Sequence, residues 1–257
     1  MSTSLRAATP SPGAPRAARA ALDGHPDPAG EQAGGVDGAG QRRAVDPDRR
    51  SGLGAPVALG VAVLIGLAWG AATSGLQTVL PWPFSGLANA VSPWVAPAFA
   101  VGAFARRPWV AAVAGTLVCF GEVGGYYAVS AVRDFGINPA LVVTWLVTGV
   151  VGGPVFGAAG WCWRRLRSLR WAGLSAALMG GVFLSEGAVG YGIYLDYTGD
   201  AVVFCALGAL LLVALGATAP AARAVGAPGR GIGTALTWLL LVLPLGAAGQ
   251  ALLRVVA

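Results

Sequence analysis

The chain has 257 residues, 56% hydrophobic and 11% charged, with 40 Gly, one His, three Cys and a net charge of +6. That composition excludes an ordinary soluble domain. It also excludes a nucleic-acid reading of the positive charge, because the basic residues recur in short clusters between apolar stretches of membrane-crossing length, not on one soluble face.

Residues 1–53 come first and differ from the rest: Pro10, Pro12, Pro15, Pro26, Pro28 and Pro47 stand among Ala and Gly, and seven Arg nearly balance six acids. Such a segment buries too little surface to offset its ordering entropy, so a disordered cytoplasmic tail is predicted. It serves either as a docking arm or as a solvated extension that anchors the first span. Its longest apolar run is short for a secretory signal, and no cleaved leader is expected.

Residues 54–257 are predicted to be an all-α membrane domain of seven transmembrane helices, arranged as three hairpins plus one. From Ser51 to Ala105 there is no charged side chain, and this stretch must hold two crossings, about 56–80 and 87–105, with the turn at Pro81-Trp82-Pro83. The remaining spans are expected near 109–132, 139–163, 171–195, 201–220 and 231–253. A cytoplasmic N-terminus places Arg42, Arg43, Arg49, Arg50, Arg106, Arg107, Arg164, Arg165, Arg167, Arg170, Arg223 and Arg230 inside, and leaves only Arg133 and Arg254 outside. Trp109, Trp161, Trp163 and Trp171 then fall at the inner boundary, where amphipathic rings favour the headgroup region.

The basic clusters end at Arg50, Arg107, Arg170 and Arg230, one helical hairpin apart each time. The third and fifth spans also echo one another: each begins near an Arg and a Trp, carries one Glu, and ends at an Asp followed by an aromatic residue. A parallel repeat explains this, and so does any up-and-down bundle with short loops.

Glu122 and Glu186 are the only charged side chains within the expected spans, and ionisable groups there are costly and by default functional candidates. Counted from Trp109 and Trp171, they sit about 20 and 22 Å along helices that run in the same direction. No Arg or Lys lies within a span to pair with them. Three states are open: each is protonated, the pair shares one proton, or the carboxylates hold a metal cation or protonated amine. An anionic substrate is disfavoured in all three.

All five Tyr lie on or just beyond the outer ends of these two helices. Tyr126 shares a face with Glu122, and Tyr194 shares one with Glu186. Asn89, Ser92, Pro93 and Pro97 in the second span suggest either a broken helix lining a cavity or a helix that starts late, near Ser92. The expected site is therefore an outer cavity lined by Glu122, Glu186, Tyr126, Tyr191, Tyr194 and Asn89. An aromatic belt is the competing account of Tyr127, Tyr191 and Tyr197, and a structural hydrogen bond between helices is the competing account of the Glu pair.

Gly149, Gly152, Gly153, Gly157 and Gly160 read as close helix packing in the fourth span. No cofactor is expected, since Cys119, Cys162 and Cys205 lack the spacing of metal ligands and His25 lies in the tail. No phosphate-binding loop and no hydrolase motif is present, so the chain is not expected to be an enzyme.

At Leu87-Ala88-Asn89-Ala90-Val91-Ser92-Pro93-Trp94 and Gly121-Glu122-Val123-Gly124-Gly125-Tyr126-Tyr127, the sequence resembles a family of small uncharacterised multi-pass membrane proteins of GC-rich bacteria. The resemblance spans residues 55 to about 253 and implies the bacterial cytoplasmic membrane; it carries no activity across. Expected partners are the lipid bilayer, a cationic small solute or proton, and a membrane protein partner. The expectation is a small permease, or the substrate-capturing membrane subunit of an importer. The alternative is a non-transport assembly or interaction protein in which the Glu pair only fixes helix packing.

Overall fold

The computed structural model describes residues 52–256, and the tail up to residue 51 lies outside the described residues. The described chain is helical, with one isolated parallel bridge between Leu53 and Ala105. The elements are α1 (Ala55–Leu76), a 3-10 turn (Ser85–Ala88), α2 (Val91–Phe104), α3 (Pro108–Val132), α4 (Pro139–Arg165), α5 (Leu169–Ser185), α6 (Thr198–Thr218), the short α7 (Pro220–Ala224) and α8 (Pro228–Val256). Beyond Ser185 the α5 rod continues without a break as a π-helix, Glu186–Tyr194.

Among the described residues six helices are long and apolar enough to cross a membrane, not seven. The exception is the second expected span, where α2 has only 14 residues. It rises about 21 Å, short of a bilayer core of about 30 Å. Pro93 suits a start at Val91, since its missing N–H is harmless in the first turn. The chain reaches Val91 through the 3-10 turn and an extended Ala90. α1 likewise stops at Leu76, before the expected end near residue 80.

Two ends of the bundle can be told apart by their contacts. At the basic end the Leu53 N–H donates to the Phe104 carbonyl, and the Trp163 indole donates to the Leu215 carbonyl at 2.9 Å. The Arg164 guanidinium there lies 4.3 Å from the Phe104 ring centre. At the opposite end the hydroxyls of Ser74 and Ser130 are 2.9 Å apart, and Arg133 donates to the Ser74 carbonyl and the Thr78 hydroxyl.

α3 packs on α1, α2 and α4, while α5 packs on α8, α6 and α4; α2 lies between the two groups, touching α3, α4 and α5. Glycine sets the closest approaches. A Cβ at Gly70 would collide with the Glu122 carbonyl, and one at Gly157 with the carbonyl of Ala111, so only glycine lets these backbones meet. Burial is deepest where α2 is wrapped, at Val95, Ala98, Phe99, Val118 and Phe204.

Candidate functional site

Glu186 sits at the junction where α5 becomes a π-helix, a segment loosened by Gly187, Gly190 and Gly192. Its side chain is 5% exposed and points at the start of α2. One carboxylate oxygen accepts from the Val91 N–H at 2.9 Å and the other from the Ser92 N–H at 2.7 Å. A helix start leaves its first N–H groups without partners, and Ala90, at the cap position, has no polar side chain to offer. Pro93 has no N–H. Glu186 thus supplies in trans the cap that the sequence of α2 lacks, with its negative charge at the positive end of the helix dipole.

Glu122 has a different environment. It is fully buried on α3, and neither of its oxygens has a hydrogen-bond partner among the described residues. A cavity of about 20 Å³ adjoins it, lined by residues of α2, α3 and α4 that include Val91, Trp94, Cys119, Trp145 and Thr148. Volume of that order admits one water. The two acids are not bonded to one another: the first turn of α2 lies between them, with Val91 both lining the cavity of Glu122 and donating to Glu186.

An open cleft of about 400 Å³ lies at the end opposite the basic clusters. Asn89 and Tyr191 line it together with Gln77, Trp82, Gly86, Tyr197 and Asp200. The Tyr191 ring stacks on Phe204 with centres 4.7 Å apart, and its hydroxyl donates to the Gly86 carbonyl at 3.2 Å. A side chain at Gly86 would stand 2.7 Å from both the Tyr191 hydroxyl and an Asp200 carboxylate oxygen, so glycine keeps this wall open. Asp200, in the first turn of α6, is 2% exposed and is the one charged residue lining the cleft among the described residues.

Gln77 joins three of the walls. Its side-chain oxygen accepts from the Tyr126 hydroxyl at 2.6 Å and from the Asn89 amide at 3.2 Å. Tyr126 itself lines a second, smaller cleft of about 250 Å³ with Tyr127, and Gln77 is the partition between the two. Tyr194 stands apart: it is 47% exposed, with the Arg254 guanidinium 5.6 Å from its ring centre.

The expected six-residue cavity is therefore distributed. Asn89 and Tyr191 share the cleft, Tyr126 reaches it through Gln77, Glu186 supports it from behind, Glu122 occupies its own cavity, and Tyr194 faces outward. Sequence reasoning missed Gln77 and Asp200. Gln77, Asn89, Asn138 and Gln250 are the only amide side chains after residue 53, a scarcity that marks them. Asp200 falls just outside the expected sixth span, which begins at residue 201, three residues after the start of α6 at Thr198; an acid in a first helical turn is a recognisable start signal.

Among the described residues no three of His, Cys, Asp and Glu stand together as a metal-ion set. No curated protein and no solved structure matches the chain. Residues 49–247 match the family of unknown function DUF6518, and the chain belongs to that family.

Proposed function

We propose that the protein captures a small protonated amine in the cleft, acting as a permease or as the membrane subunit of an importer. One observation carries this reading: a buried carboxylate, Asp200, shares a cleft with Trp82, Tyr191 and Tyr197, and among the described residues no cationic side chain lines it. Carboxylate and aromatic faces together are the chemistry that holds an organic cation. The amides of Gln77 and Asn89 add acceptors for ammonium or hydroxyl hydrogens.

The orientation we infer has the N-terminus and the Arg clusters in the cytoplasm and the cleft facing outward. A bacterial cytoplasmic membrane suits that orientation. Broken helices beside a polar site support a solute-handling role: α2 starts late, and α5 changes to a π-helix at the same junction.

The test is calorimetric titration of the purified protein in detergent with a panel of primary and quaternary amines, amino acids and dicarboxylates. At least one amine should bind wild type, and Asp200→Asn should weaken it by about tenfold or more. Tyr194→Ala should bind as wild type does. If no amine binds, or if Asp200→Asn binds equally well, the reading fails.

A second reading, an assembly or interaction protein whose intramembrane acids only fix helix packing, draws on one observation: both oxygens of Glu186 are occupied by the start of α2. Failure of every ligand, together with loss of stability in Glu186→Gln, would favour it.

A further inference from the structure

The cleft does not use Glu122. This side chain is 0% exposed, both of its oxygens lack partners among the described residues, and a cavity the size of one water adjoins it. An ionised carboxylate in that position would have neither cation nor donor, which is the costliest arrangement a membrane interior offers.

The surroundings decide what the group can take. Val91, Trp94 and Val95 of α2, Cys119 and Val123 of α3, and Trp145, Thr148 and Gly149 of α4 line the cavity. The Thr148 hydroxyl already donates to the Thr144 carbonyl at 2.8 Å. One hydroxyl and one carboxyl fall short of the six or more oxygens that a hard metal cation gathers. α1 and α2 contain no titratable residue, and those of α4, Cys162, Arg164 and Arg165, lie in its far half. On α3 itself the near groups are Cys119, which lines the cavity, and Tyr126, whose hydroxyl is engaged by Gln77. The only cation small enough and undemanding enough for this cavity is a proton.

We propose that Glu122 is a hydrogen-ion site buried between α2, α3 and α4, which exchanges its proton through a single water in the adjoining cavity. On release the carboxyl O–H bond breaks, its electron pair stays on the carboxylate, and the proton forms a new O–H bond on the water, leaving as hydronium. Uptake reverses the step. The site is separate from the cleft and stands whether or not the cleft binds an amine.

The experiment is an infrared difference titration of the full chain in detergent, without amine, from about pH 4 to about pH 10. The readout is the C=O stretching band of a protonated carboxylic acid. Wild type should show such a band that titrates; Glu122→Gln should lose it, and Glu186→Gln should keep it. Glu122→Asp retains an acid on a shorter arm and should move the band, so the test survives a Gln variant that fails to fold. Superimposable wild-type and Glu122→Gln spectra, or a Glu122→Asp band unmoved from wild type, would overturn the proposal.

Discussion

α3 and α5 begin alike, carry one acid each at similar depth, and end alike, at Asp134 and Asp196 with φ of 56° in both. Asp tolerates that left-handed conformation better than most residues, and it closes each helix in the same way. Between those matching ends the two rods diverge. α3 remains a regular helix clamped against α1 by glycine, and its Glu122 finds no partner among the described residues. α5 widens into a π-helix at its acid, and Glu186 caps α2. The same residue type is an unpaired carboxyl in one helix and a structural cap in the other. The difference is the neighbour: the start of α2 presents free N–H groups to one acid and only the side of Val91 to the other.

Substitutions can break or sharpen this contrast, and thermal unfolding in detergent reads each of them. The largest effect is expected at Gly70→Ala, which places a methyl against the Glu122 backbone and should cost about 3 kcal/mol by overpacking. Gly75→Ala, where a Cβ meets nothing within 4 Å, should instead be neutral or gain up to about 1 kcal/mol of helix propensity. Equal effects at the two positions would remove the clamp from the account of α3.

Next in size is Glu186→Ala. It strips the acceptors from the Val91 and Ser92 N–H groups and should cost about 2 kcal/mol. Glu122→Met, similar in volume and free of unpaired polar atoms, should be neutral or stabilising by about 1 kcal/mol. Opposite signs at the two acids are the clearest form of the contrast, and equal losses would abolish it. The smallest effect is expected at Tyr194→Ala, half exposed beside Arg254, which should shift stability by no more than about 0.5 kcal/mol.

Much of the fold is legible in the residues. Apolar length marks the long helices, and Arg clusters mark their shared end. The glycines of α4 meet neighbouring backbone, as Gly153 does against Thr116 and Gly160 against the Phe99 carbonyl. The second span was legible only in half, because hydropathy sees the apolar content of residues 87–105, while the start of α2 at Val91 is fixed by a contact with Glu186 far along the chain. Of the residues lining the cleft, Asn89 and Tyr191 were legible because an amide in the second span and a Tyr beyond Glu186 on the same helix stand out there. Asp200 was not, since a span begun at residue 201 leaves it outside, while the helix that starts at Thr198 makes it a buried wall.

By itself, the sequence determined that this chain is helical and apolar enough to cross a membrane several times, because local composition and span length are properties of consecutive residues. Only the tertiary structure decided what the two acids do. A carboxylate's role depends on which donors face it, and those donors, the N–H groups of Val91 and Ser92, lie 95 and 94 positions away in the chain. No periodicity within α3 or α5 encodes that meeting; the packing of α2 between them does.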